Sequence, residues 1–334
     1  MSHELSIDSN GKAEMMYVGK MPWHGLGTQL EEPPTAAWAI RAAHLNWRVV
    51  KKQLYVGEEH RPLPGQYAIV REDRWSSNEE SVFGTVGQGY SPLQNEDAFR
   101  FFDPIVETGK AFYESAGALK SGQRVWVMAR LKEDFEVTKE DTIARYLLLS
   151  NTHDGTGSVQ VKFTPVRVVC QNTLSQALGQ GPSIRVAHTS AMESRLKNAA
   201  DEALATIQRH FNEIGVQFRK LADVEMSEEH LDAYLRSVFP DPPRSKDEKQ
   251  YRRAITQAQK DREESRRLCF DGKGNDLEGV RGTLWAAYNG VTEYADFHRT
   301  AYGDSKWLEN TWFGEGNRIK ERALEEALSI SRVA

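Results

Sequence analysis

Residues 146–178 read YLLLSNTHDGTGSVQVKFTPVRVVCQNTLSQAL, and this stretch decides the fold. In SVQVKFT the apolar Val159, Val161 and Phe163 alternate with Ser158, Gln160 and Lys162, the period of a strand that buries one face. Asp154-Gly155 and Gly157 supply the positive backbone angles of a hairpin. Thr164-Pro165 then predicts the end of pairing and the start of a helix with Arg167 on its first turn. A polar, basic sheet face beside a helix N-terminus is a seat for phosphate.

Outward from this hairpin, AFYESAGALKSG and QRVWVMARL (123–131) read as a further hairpin joined at Ser121-Gly122. Asn95 is expected to cap a helix over NEDAFRFFDPIVETG, with Ala98, Phe101, Phe102 and Ile105 inward and a bend at Pro104. Three strand-like runs precede it, at 47–56, 66–73 and 81–94, and a short helix on Trp38, Ile40 and Ala42 comes before them. Downstream, apolar residues recur at steps of three and four from Met192 to Leu221, which predicts one long amphipathic helix. Its stripe suits either a homo-oligomer seam or packing on its own sheet. MSEEHLDAYLRSVFP is a second helix capped by Ser227, residues 246–267 a charged helix, and two more helical stretches follow. The class is therefore α+β with a mostly antiparallel sheet. The expected division is an N-terminal arm at 1–35, a core domain at 36–188 and a helical region at 189–334.

The chain of 334 residues carries a net charge of −5, which argues against a protein that coats nucleic acid by bulk attraction. Its cations are unevenly spread, however: from 158 to 220, Lys and Arg outnumber Asp and Glu by eight to four. Two cysteines, Cys170 and Cys269, far apart, support neither a disulfide framework nor a cysteine-rich zinc site. No stretch approaches the roughly 20 apolar residues that span a bilayer, and the first residues lack a signal-peptide pattern. A cytoplasmic protein of the host cell is the expectation.

Sequences of the form GxxxxGK[ST], GxSxG and HExxH are absent, and GQGYSPL lacks the third glycine of a dinucleotide fingerprint. His24 in MPWHGLGT, His153 and Asp154 in the hairpin turn, and Cys170 are the residues an enzyme would use, through a metal or a thiolate. Each also has a structural reading: a turn anchored by Trp23, a turn built by Asp154, and a core cysteine. Lys51, Lys52, Arg71, Lys162 and Arg167 lie instead among Tyr55, Tyr67, Trp75 and Tyr90. Cations interleaved with rings are what a single-strand groove uses, the cations following phosphates and the rings stacking on bases.

GQGYSPLQNEDAFRFFD, the 146–178 hairpin, GTLWAAYNGVTEYAD and MPWHGLGT together resemble an uncharacterised phage/plasmid-like protein family of mobile elements. That resemblance implies a gene carried by phages or plasmids, near replication and recombination functions. The order of elements also resembles the core of phage single-strand annealing proteins. This second likeness implies a ring- or filament-forming homo-oligomer that holds single-stranded DNA in a basic groove, without cofactor, metal or nucleotide hydrolysis. Lys51, Lys52, Arg71, Tyr90, Lys162 and Arg167 are the expected DNA contacts. Two other classes stand beside it: an enzyme using His24, His153, Asp154 and Cys170, and a structural or host-interaction protein docking through its helices.

Overall fold

The computed structural model describes residues 5–19, 22, 25–74, 81–169, 184–299 and 307–332. The chain forms two compact units that interleave along the sequence: 1–132, 146–163 and 182–207 in the first, and 133–145, 164–181 and 208–334 in the second.

The main sheet has β1 (Met15–Val18), β2 (Thr28–Leu30), β6 (Ala111–Leu119), β7 (Arg124–Leu131), β9 (Asp141–Thr152), β10 (Val159–Arg167) and β11 (Ile184–Val186) in the order β11-β10-β9-β7-β6-β1-β2; it belongs to the first unit except for residues 141–145 of β9 and 164–167 of β10. Pairing is antiparallel for β1–β6, β6–β7, β7–β9 and β10–β11, and parallel for β1–β2. The early residues thus enter the main sheet as strands. β7 and the Tyr146–Thr152 part of β9 are buried almost throughout, with Trp126, Val127, Leu147 and Leu149 shut off from solvent, so both faces of the sheet centre are covered. Three short helices, α1 (Ala36–Ala42), α2 (Asn95–Arg100) and α3 (Asp103–Glu107), pack against β1, β6 and β7. A second, antiparallel sheet has the order β3 (Val49–Val56), β4 (Arg61–Arg71), β5 (Val82–Gly87).

Several expectations are met closely here. The hairpin turns at 121–122 and 154–155 are present, with Gly122 and Gly155 in the left-handed region. Others are corrected. Pro165 does not end its strand: β10 runs on through it to Arg167. Pro104 does more than bend the 95–107 helix, separating α2 from α3 and sitting in the first turn of α3. Asn95 is the first helical residue, not the cap, and its buried amide donates to Leu45 O at 2.9 Å.

The second unit holds β8 (Phe135–Thr138), paired with β9 through Phe135↔Ile143, and helices α5 (Glu228–Val238), α6 (Glu248–Asp271), α7 (Leu284–Glu293), α8 (Trp307–Trp312) and α9 (Glu315–Ile330). Ser227 caps α5 as expected, its Oγ accepting from His230 N. Every side chain of α7 is buried, and Trp285, Tyr288 and Phe218 form a tilted aromatic cluster with centroids 4.8–6.1 Å apart. The long helix α4 (Met192–Ala222) spans 31 residues. Met192, Leu196, Ala200, Ala203, Ile207, Phe211, Ile214, Phe218 and Leu221 are all buried within the single chain, which favours packing on the chain itself over a seam held open for a partner.

Candidate functional site

The first unit brings together two of the motifs that stood out in the sequence. From GQGYSPLQN and SNTHDG, His153 Nε2 lies 3.0 Å from Asn95 Oδ1, Asn151 Nδ2 donates to Leu93 O at 3.4 Å, and Tyr90 Oη donates to Thr152 O at 3.4 Å. Because Asn95 uses its amide nitrogen on Leu45 O, its oxygen is the acceptor and His153 donates from Nε2. His153 Nδ1 is then left as a buried acceptor without a partner among the described residues, as are Asn151 Oδ1 and Thr152 Oγ1. Trp47 stands edge-on to the His153 ring at 5.5 Å, and Phe83 stacks on it at 6.0 Å. Burial above all, with His188 and Arg71 nearby, pushes the His153 pKa down to about 3, so its ring is neutral.

This site does not assemble the acid–base pair drawn from the sequence. Asp154 turns its carboxylate to Thr156 N and Oγ1 at 2.9 and 2.7 Å, a local turn in which His153 takes no part. Among the described residues no three His, Cys, Asp or Glu side chains are grouped to hold a metal. His24, Trp23, Trp75 and Cys170 lie outside the described residues.

The expected DNA contacts are not one groove. Arg71 is buried, bonded through Nη2 to Glu14 and through Nε to Asp73 at 2.8 Å, and it lies 4.2 Å over the Trp47 ring. Burial opposes its charge, yet the Asp73 and Glu14 bonds hold its pKa above the usual value. Arg167 is likewise shut in, forked onto buried Asp141 at 2.7 Å from both Nε and Nη2. Both were expected at a surface, and both are corrected: each guanidinium is spent neutralising a carboxylate inside the protein. Lys51 donates to the carbonyls of Gln88 and Tyr90 at 2.8 and 3.0 Å and sits 4.5 Å over Tyr67, so its ammonium fastens the 87–90 turn. Tyr90 stacks on His188 at 4.7 Å, and burial raises its pKa. Lys52 is exposed and Lys162 half-buried.

One basic neighbour was missed. The register Gln160↔Arg185 puts exposed Arg185 on the same sheet face as Gln160 and Lys162, opposite buried Val159, Val161 and Phe163. A three-residue strand gives too short an alternation to be read from sequence.

A cleft of about 600 Å³ opens beside α1 and α2, lined by Ile40, Arg41, Asn46, Trp47, Arg48, Gln94, Glu96, Asp97, Phe99, Arg100 and Asp103 among others. Gln94 holds one wall, accepting from Val49 N at 3.1 Å and donating to Val49 O at 3.0 Å as a neighbouring strand would. Burial, with Glu193 and Glu96 nearby, raises the pKa of Asp97 against the pull of Arg100 and Arg48.

No curated protein and no solved structure matches the chain. A family model described as a domain of unknown function, DUF932, matches residues 82–327, which takes in the 87–103, 149–178 and 282–296 motifs. With well over half of its length so matched, the chain belongs to the DUF932 family.

Proposed function

We propose that the protein is a non-enzymatic DNA-binding protein of a phage or plasmid that holds single-stranded DNA and promotes strand annealing as a homo-oligomer. The observation that carries this reading is the polar face of β10 and β11 at one end of the main sheet, where Arg185, opposite Gln160, lies diagonal to Lys162. A flat sheet face with neighbouring cations follows a phosphate backbone without reading bases, as annealing requires. Lys52, exposed on β3, is a further cation of the first unit. The order of elements that resembles annealing proteins supports the same reading, as analogy of fold.

The test is binding of a fluorescent single-stranded oligonucleotide across a salt series, for the parent and for Lys162→Glu with Arg185→Glu. Two lost phosphate contacts lower the slope of log K against log salt by about 1.4 for a single strand. Equal affinity and equal slope for parent and variant would remove this face from the proposal. Light scattering with and without the oligonucleotide reports assembly, and a protein that stays monomeric throughout would remove the homo-oligomer.

A further inference from the structure

The cleft beside α1 and α2 carries two guanidinium groups that its carboxyl groups do not pair directly. Three guanidinium groups and three carboxyl groups line it. Glu96 is bonded to Arg100 one helical turn away, and Asp103 accepts from Tyr113 Oη at 2.8 Å. Arg100 is thereby engaged as well. Arg41, on the last turn of α1, and Arg48, at the entrance to β3, are exposed at the cleft and make no ion pair or side-chain hydrogen bond among the described residues. A guanidinium offers five N–H donors in a planar fork suited to phosphate, and two such forks stand on one cleft without a direct ion pair, Arg48 acting on Asp97 only through its field. The walls add apolar surface mainly from Ala36 and Ala37, with narrow edges of the otherwise buried Ile40 and Trp47. Asp97 is already partnered, 3.9 Å from Arg100. A bare anion would leave the apolar wall uncovered, so the complementary ligand joins a phosphate to a flat body. At about 600 Å³ the cleft is of small-molecule size, unlike a channel that threads a strand.

We propose that this cleft binds a phosphorylated terminal nucleotide, with Arg41 and Arg48 on the phosphate and the base along the wall formed by Ala36, Ala37 and the edges of Ile40 and Trp47. The choice of a nucleotide rests on the nucleic-acid reading above; the cleft and its two directly unpaired cations do not. The site is separate in sequence and structure from the Lys162 and Arg185 face, so the protein would hold the body of a strand and its end by different residues.

The experiment is isothermal titration of the full chain with cytidine 5′-monophosphate, cytidine and inorganic phosphate, then with a short single strand bearing a 5′-phosphate or a 5′-hydroxyl. Cytidine monophosphate is expected to bind at least tenfold more tightly than cytidine or phosphate alone. Arg41→Ala with Arg48→Ala should lose at least tenfold for the nucleotide and abolish preference for the 5′-phosphate strand, with an unchanged circular dichroism spectrum. Lys162→Glu with Arg185→Glu should keep nucleotide binding. Nucleotide binding that is absent, or equal in parent and Arg41→Ala/Arg48→Ala protein, overturns the inference, and inorganic phosphate binding as tightly as the nucleotide overturns the choice of ligand. Strand binding without 5′-phosphate preference sinks the cleft and leaves the strand-binding reading; nucleotide binding with no strand binding does the reverse.

Discussion

Replacing Arg167 by alanine separates a buried structural cation from a surface contact, because the two roles predict opposite outcomes. All five N–H donors of its guanidinium are used: Nε and Nη2 on Asp141 at 2.7 Å each, Nη2 also on Gly274 O at 2.8 Å, and Nη1 on Asn275 Oδ1 at 2.9 Å and Lys273 O at 3.3 Å. Asp141 is fully buried and would keep only the Trp285 Nε1 donor at 2.7 Å. Stranding a carboxylate in this way costs about 3–5 kcal/mol. With a urea m-value of about 1–3 kcal/mol/M, the midpoint of the transition that includes the second unit should fall by roughly 1 M or more. Arg167→Met with Asp141→Asn removes both charges and should cost less than Arg167→Ala alone. Circular dichroism through a urea series measures all three proteins. An Arg167→Ala protein within about 0.5 kcal/mol of the parent but with weakened strand binding would refute the burial argument and restore Arg167 to the surface.

Other consequences are as direct. His153 is neutral in the fold, with a pKa pushed down to about 3 against an ordinary 6.5, so the unfolded chain binds the extra proton between those values. The stability it contributes is complete above about pH 6.5 and is lost as pH falls toward 3, by at most about 1.4 kcal/mol per pH unit. His153→Gln should therefore lose less stability than the parent between pH 7 and 5, and parallel urea midpoints would contradict this. A Cβ on Gly84 would stand 2.2 Å from the Asp154 carbonyl oxygen, whereas one on Gly87 in the same strand meets nothing within 4 Å. Gly84→Ala should cost about 1–3 kcal/mol and Gly87→Ala much less; equal melting points would show that β5 does not approach the 154 turn so closely. In the second unit, Lys320 Nζ bonds Asp296 at 2.7 Å with both side chains buried. Lys320→Met should destabilise by about 3–5 kcal/mol and be partly rescued by Asp296→Asn, as a double-mutant cycle would reveal.

The parts of the fold that could be read in advance are those where one physical signal dominates. Alternation at Val159, Val161 and Phe163 locates β10, and the nine apolar positions from Met192 to Leu221 locate α4, since burial selects those positions directly. Proline misleads at 165 because its effect depends on the neighbour: a missing N–H matters only where a strand waits to accept it, and β10 continues through Pro165 to Arg167. Asn95 misleads for a related reason. An asparagine before acidic residues looks like a cap, but here long-range partners, Leu45 O and His153, claim its amide. No local pattern encodes partners about 50 residues away in either direction.

The cations show the same limit in a form that bears on function. Arg71 and Arg167 sit in strands among rings, as groove residues would, and sequence spacing cannot tell a cation facing solvent from one facing a carboxylate far along the chain. Glu14 lies 57 residues from Arg71, and Asp141 lies 26 residues from Arg167. Arginine is the residue best suited to both tasks, because its fork satisfies a buried carboxylate as well as it grips a phosphate. What distinguishes the two uses is whether a carboxylate has already filled the fork. By that criterion Arg71 and Arg167 are spent, whereas Arg41, Arg48 and Arg185 remain exposed without an ion pair among the described residues. These three exposed guanidinium groups lie at positions that the sequence reading did not single out.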